Sequence, residues 1–339
     1  MTFRSHLAAS FLLVAANLLA PPLVAADAGQ ATPRPADQPA PTPDATLEAM
    51  KSAPPRGLLY TVSKGPRRAY LFGTIHVGKA DFFPLDWTTT QALAQSSALA
   101  VELDAMQADR ISAALQRYAV LPKPKTLATE LPPDLLRRLN AQLDAFRMPR
   151  DSVQGLKPWM ATLSLSLGAY QHYGYSFEYA SDLYLTALAK GLAKPVVELE
   201  GAEEQFGIFD RLSRPDQLTF LSESLTYLEN GQMPADLQSI IGAWLGNDAA
   251  ALQNAVAKSY RDHPRSSRWI KPKLFTDRNV RMVDKIDRML AQGESPFVAV
   301  GALHLVGTDG LPALLRKRGY HVESVYPDAR PIKTIDRAR

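Results

Sequence analysis

Along residues 57–326, short apolar runs alternate with longer stretches in which apolar side chains recur every three or four positions. Two runs, 58–63 (LLYTVS) and 69–75 (AYLFGTI), flank SKGPR, and its Gly65-Pro66 step predicts a β-hairpin. The runs ALAVELD (98–104), KPVVELEG (194–201) and PFVAVGALH (296–304) are short and apolar on both faces. Such runs suit strands covered on both sides. YHVESVY (320–326) alternates and reads as a last strand. Helical spacing covers 85–95, 105–120, 132–146, 153–170 and 177–190, then 215–230, 235–245, 248–260 and 271–291. Pro132-Pro133 and Pro215 fall at helix starts, where a missing N–H costs nothing. Strands alternating with helices predict an α/β fold. Its expected form is a central mixed or mainly parallel sheet with flanking helices and a large helical lobe inserted at about 105–290.

The ends of the chain read differently. Arg4 and His6 precede the apolar stretch 7–20, and Val24-Ala25-Ala26 places small residues where a secretory signal is cut. The run is shorter than the ~20 residues that span a bilayer, and Pro21-Pro22 ends it. Residues 1–26 are therefore expected to be a signal peptide, with export to the periplasm or beyond the cell and no stable membrane span afterwards. Residues 27–55, rich in Pro, Ala and polar side chains, read as an extended, disordered linker. The folded domain is expected over 56–328, with a tail at 329–339.

Composition narrows the chemistry. The 339 residues are 46% hydrophobic and 21% charged, ordinary for a globular chain with a sizeable core. The formal charge of +4 falls to +3 without the signal and is dispersed, which speaks against nucleic-acid binding. There is no cysteine. Thiolate chemistry, disulfides and an acylated cysteine are excluded, and any metal ligand must be His, Asp, Glu or backbone oxygen.

Two apolar runs end alike: LFGTIHVG (71–78) and FVAVGALHLVG (297–307) each stop at a glycine, and His76 and His304 follow three positions on. In an open α/β sheet, ligands collect beyond the carboxyl ends of the strands. Those ends are predicted to carry His76, Glu102 with Asp104, Glu198 with Glu200, and His304. Two imidazoles with one or two carboxylates make a donor set for a catalytic divalent ion. Gly73 and Gly301 are expected to let the chain turn sharply there. Glu102 lies among residues that should be buried, where a carboxylate is costly unless paired or ligating. Asp104 reads as a helix cap, Glu203 and Glu204 as charges in a first helical turn. His172, in the aromatic loop YQHYGYSFEYASD, reads as packing or surface, and His263 and His321 have no supporting context. Arg278 and Asn279, before an apolar helix stripe, could orient substrate or bind an oxyanion.

The segments YLFGTIHVG, AVELD, ELEGAEEQ, DRNVRMVDKI and FVAVGALHLVGTDGLPALLRKRGYHVESV, in this order, resemble the TraB/PrgY/GumN family, which is similar to the Tiki proteases. The resemblance covers about 60–325. It implies an active site built from the two Gly-x-x-His motifs and an acid, with Mn or Co suggested for the Tiki branch and Zn a further option. His76 and His304 fall on the motif histidines, Glu102 and Glu200 on the two acids, and Arg278-Asn279 on the Arg-Asn pair. Asp182, opening a helix before the Glu200 strand, also fits the pattern. Gly201 stands where many members carry threonine. The wider fold group includes members that hydrolyse without metal or bind haem.

The reading is an exported metal-dependent hydrolase, with His76, Glu102 and His304 on a divalent ion, Glu200 as base, and Arg278 or Asn279 on the oxyanion. The expected partner is a peptide or small-molecule substrate. The alternatives are a metal-free esterase-like hydrolase and a protein that sequesters a peptide signal, haem or another small molecule without turnover.

Overall fold

The computed structural model describes residues 43–262 and 264–326. The signal segment, the first part of the linker, His263 and the C-terminal tail lie outside the described residues. Each apolar run supplies a strand: β1 Leu59–Lys64, β2 Arg67–Thr74, β3 Leu99–Val101, β4 Val196–Glu198, β5 Phe297–Gly301 and β6 His321–Ser324. They form one sheet in the order β4-β3-β5-β2-β1-β6. β2, β3, β4 and β5 run parallel to one another, while β1 pairs antiparallel with β2 and with β6. The sheet is thus mixed, with the chemistry-bearing strands in its parallel half. Lys64 pairs with Arg67 across Gly65-Pro66, and Gly65 takes φ 59°, so the predicted hairpin is present.

Helices occupy the remaining periodic stretches. They are α1 Pro43–Ser52, α2 Trp87–Gln95, α3 Ala108–Tyr118, α4 Leu127–Glu130, α5 Pro133–Ala145, α6 Pro158–His172 and α7 Ser181–Gly191. Then follow α8 Ala202–Asp210, α9 Arg214–Glu229, α10 Met233–Leu245, α11 Ala249–Asp262, α12 Ser267–Ile270, α13 Asp277–Ala291 and α14 Leu311–Lys317. Pro133 and Pro215 both stand in first turns, as their missing N–H groups favour. Asp86 caps α2 by accepting from the Thr88 and Thr89 N–H groups. α6 is buried nearly all round, and its Trp159 stacks on Phe209 with ring centroids 5.3 Å apart. Among the described residues no helix is long and apolar enough to cross a membrane.

Three elements differ from expectation. Part of the Pro/Ala-rich stretch, 43–52, is helical as α1, with Asp44 in its first turn and Lys51 in its last, the arrangement the helix dipole favours. The acid-bearing runs are strand only at their centres, so Glu102 and Glu200 lie just past β3 and β4. The helical run 271–291 is interrupted: Lys271–Thr276 is π-helical and passes into α13 at Asp277.

The parallel register sets where these side chains emerge. Thr74 pairs with Gly301, Val101 with Ala299 and with Glu198. The carboxyl ends of β2, β3, β4 and β5 therefore share one edge. Phe72 and Phe297 stack beneath it, and Leu71, Phe72, Val101, Phe297 and Val298 are essentially sealed from solvent.

Candidate active site

His76 follows β2 in a loop held on both sides. The Ser181 N–H donates to Ile75 O, the Ile75 N–H donates to Ser181 Oγ, and Gly78 and Ser176 exchange two backbone bonds of 2.9 Å. His304 follows β5 on a single 3₁₀ turn, 302–305. The two histidines are 3% and 0% exposed. Neither motif glycine adopts a left-handed φ; the sharp-turn expectation gives way to one of space. A Cβ on Gly73 would meet Ala302 Cα at 2.9 Å, so only glycine lets the 3₁₀ turn settle onto β2. A Cβ on Gly301 would lie 3.1 Å from His76 Nε2, 3.4 Å from Glu102 Oε1 and 3.7 Å from His304 Cδ2. The missing side chain of Gly301 is thus the point on which both imidazoles and Glu102 converge.

Each imidazole is anchored by its other nitrogen. His76 Nδ1 lies 3.3 Å from Asp182 Oδ2, at the start of α7. His304 Nδ1 lies 2.5 Å from Asn279 Oδ1. The Asn279 amide is oriented by its own bond, Nδ2 donating to Asp309 O at 2.7 Å. His304 Nδ1 must therefore carry the proton, and Nε2 a lone pair. That Nε2 is buried, has no hydrogen-bond partner among the described residues, and faces Glu102 Oε1 at 3.8 Å. Burial pushes the His304 pKa down to about 4, so the ring is neutral at neutral pH.

The carboxylates form the other half. Glu102 Oε1 accepts the Gly301 N–H at 2.7 Å; Oε2 accepts from Arg278 Nη2 at 2.5 Å and from Gln205 Nε2 at 3.1 Å. Glu200 accepts from Arg278 Nε at 2.9 Å, Arg278 Nη2 at 2.6 Å and Gln205 Nε2 at 3.0 Å. Burial alone would raise the Glu102 carboxyl, but Arg278 above all, with the Gly301 N–H, outweighs it and holds it well below the usual range. Glu200 is also lowered: burial opposes its charge, and Arg278 with Gln205 overrides that, against the neighbouring Glu102.

All six sequence candidates, His76, Glu102, Glu200, Arg278, Asn279 and His304, meet here, but three expected roles do not suit their partners. The Glu200 side chain is fully buried and bonded to Arg278 and Gln205, a poor setting for a base. Arg278 donates through Nε and Nη2 to the carboxylates and through Nη1 to Leu274 O, so it clamps the acids rather than awaiting an oxyanion. Asn279 spends its amide on His304 and Asp309, which makes it the orienter of the imidazole. Glu198 and Asp104 face away into a separate network with Arg110 and Lys190. His172 packs beside Phe146 and Tyr173, and His321 pairs with Glu323 at the surface. Gly201 takes φ 125°, a conformation that only glycine adopts readily, which fits glycine in place of threonine there. Gln205 was not singled out by sequence reasoning; its one signal is a position in the first turns of α8, just after Glu200.

The donors fit a divalent ion in kind: imidazoles anchored through Nδ1 and an ionised carboxylate are what such ions take. Among the described residues, no three of these side chains are drawn close enough to hold an ion as they stand. A cavity of about 20 Å³ lies against the site, lined by His76, Gly301, Ile240 of α10 and Leu252 of α11 among others. That is room for about one water molecule.

The TraB/PrgY/gumN family model matches residues 58–324. The uncharacterized protein YbaP of Escherichia coli is 31% identical over 258 residues, covering 74% of this chain and 89% of YbaP. The zebrafish metalloproteases TIKI1 and TIKI2 are 26% and 28% identical, covering 81% and 79% of this chain. The matched part is 64% and 61% of those two proteins, so this chain spans less than two thirds of their length. No solved structure matches. With the motif histidines, the acids and the Arg-Asn pair gathered at one sheet edge and the family model matching nearly the whole folded part, the chain belongs to the TraB/PrgY/gumN family.

Proposed function

We propose that this protein is an exported hydrolase of peptide bonds that works with a divalent ion held by His76, Glu102 and His304. The observation that carries the reading is the bare, buried Nε2 of His304 turned toward Glu102 Oε1, with both imidazoles anchored through Nδ1. Two lone-pair atoms 3.8 Å apart in a buried site repel unless something positive lies between them. The relatives named metalloprotease supply the reaction class.

When bound, a divalent ion supplies Lewis acidity, acidifying water and polarising a carbonyl. The chain's own residues do the rest. Asp182 and Asn279 hold the imidazoles in the tautomer that presents Nε2 to the centre. Arg278 and Gln205 keep Glu102 ionised, and the Gly301 N–H fixes its Oε1. Gly301, with no Cβ, lets His76 Nε2 and Glu102 Oε1 approach its backbone closely. Ile240 and Leu252 keep bulk water out, which strengthens every charge interaction inside.

The His76–Asp182 pair favours a second reading: a carboxylate-oriented imidazole acting as base without metal. One experiment separates the two. Protein made without a histidine tag is assayed for metal content and for cleavage of a peptide library, beside His304→Ala and Glu102→Gln. The expected result is a retained divalent ion and cleavage in wild type, with both lost in His304→Ala. Cleavage that survives complete metal removal establishes the second reading. A wild type that binds peptide yet turns over no faster than His304→Ala rules out hydrolysis and leaves sequestration.

A further inference from the structure

We infer that Gln205 is the positioning residue that fixes the plane of the Glu102 carboxylate so that one oxygen faces the histidines; its geometry stands alone, and its purpose rests on the hydrolase reading. Gln205 is 2% exposed, on the side of α8 turned toward the acids. Its Nε2 donates to Glu102 Oε2 at 3.1 Å and to Glu200 Oε2 at 3.0 Å. Arg278 Nη2 donates to the same two oxygens at 2.5 and 2.6 Å. Donors and acceptors thus alternate around a closed ring of four atoms.

The ring settles two questions. A reversed Gln205 amide would press an oxygen against two carboxylate oxygens, so its orientation is forced. With Oε2 held from two sides, the Glu102 carboxylate cannot swing about its terminal torsion, a broad one in a free side chain. Oε1 is therefore kept toward the Gly301 N–H and His304 Nε2. Arg278 and the Gly301 N–H hold one oxygen each, and the Gln205 amide adds the second hold on Oε2 that closes the ring. The amide is set by its donor end: Gln205 Oε1 is buried and has no hydrogen-bond partner among the described residues. The other well-buried glutamine among the described residues, Gln217, behaves as a structural one, donating to the Leu212 carbonyl at 3.1 Å.

The test uses Gln205→Met, which keeps length without a donor, Gln205→Glu, which keeps shape, and Gln217→Met as control. Mn²⁺ and Zn²⁺ binding is measured by calorimetric titration. The expected result is a loss of about 10–100-fold in affinity in both Gln205 variants, with Gln217→Met unchanged. Wild-type affinity in folded Gln205→Met and Gln205→Glu overturns the inference. If wild type binds neither ion, the metal-dependent reading fails, and a crystal structure of Gln205→Met decides the positioning role. Glu102 turned away from the Gly301 N–H supports the inference, and an unmoved Glu102 overturns it. Should both variants fail to fold, side-chain amide exchange in wild type decides: protection of the Gln205 NH₂ supports the ring, and exchange as fast as in an exposed glutamine overturns it.

Discussion

Replacing Arg278 by Met should both destabilise the fold and reverse the sign of its response to acid. Arg278 is 3% exposed and is the shared partner of Glu102 and Glu200, whose side chains are 4% and 0% exposed. Removing one partner of a buried ion pair costs about 3–5 kcal/mol. Here two carboxylates lose their main cation, and Gln205 still donates to both, so the expected loss at pH 7.5 lies in that range. With a urea slope of ~3 kcal/mol/M, the midpoint falls by about 1–2 M. In wild type both carboxyls are held below their ordinary values. Their contribution is full above the unfolded value near ~4.3 and is lost as pH falls through the folded values. In the variant burial acts without Arg278, and the folded values rise above ~4.3. Stability from these groups is then greatest below ~4.3 and is lost as pH rises through the folded values, by up to ~1.4 kcal/mol per pH unit for each titrating carboxyl. Urea unfolding at several values from pH 5 to 7.5, followed through the buried Trp159 and Trp244, reads both effects. The difference between variant and wild type cancels groups that titrate alike in both. A loss below ~1 kcal/mol, the level of an exposed pair, would refute the clamp. A difference independent of pH would refute the burial argument. Arg278→Lys, with the charge but not the fork, should fall between the two.

Gly301→Ala should abolish metal retention and hydrolysis while costing about 1–3 kcal/mol of stability, because its Cβ would crowd His76 Nε2 and Glu102 Oε1; metal analysis beside urea unfolding checks both. Asp182→Asn should lower metal affinity by about 10–100-fold through the His76 orientation, measured by titration, with little change in urea midpoint. Native protein from its secretory compartment should begin at or near Asp27 by mass spectrometry, and an intact Met1 would exclude cleavage.

How far the sequence reaches depends on the range of the forces involved. The strands were legible because a short apolar run needs cover on both faces wherever it lies, and β2, β3 and β5 are buried along their covered parts. The meeting of His76, Glu102, Glu200 and His304 followed from one rule, that parallel strands share a carboxyl edge. The roles of Glu200, Arg278 and Asn279 did not follow, because a role depends on which partner each polar atom finds. Arg278 lies 176 positions from Glu102 and Asn279 25 from His304, and no local pattern encodes either bond. Gln205 was hidden for the same reason: a glutamine in a first helical turn looks like any solvated one until both carboxylates stand against its amide. β3 and β4 end at Val101 and Glu198, but the Glu200 N–H still donates to Glu102 O at 2.9 Å, and it is the side chains of the two acids that turn to Arg278.

The irregular stretch before α13 bears on how one helix serves both halves of the site. Consecutive helical residues point about 100° apart. Arg278 and Asn279 use that angle, one reaching the carboxylates and the other the far side of His304. Which pair of adjacent residues faces the site is set by the rotation at which the helix enters. The π-helical Lys271–Thr276 accommodates extra residues per turn and shifts that rotation just before Asp277. A regular α-helix from Lys271 would present a different pair. The same stretch places Leu274 O to accept from Arg278 Nη1 and Phe275 against the His304 ring at 5.3 Å. The helical irregularity is thus what aims the clamp and the imidazole orienter together. A deletion of one residue within 271–276 that restores α-helical spacing should uncouple them, with His304 losing Asn279 and Glu102 losing Arg278 in the same variant. A crystal structure of that variant with both bonds intact would show that the aiming comes from elsewhere.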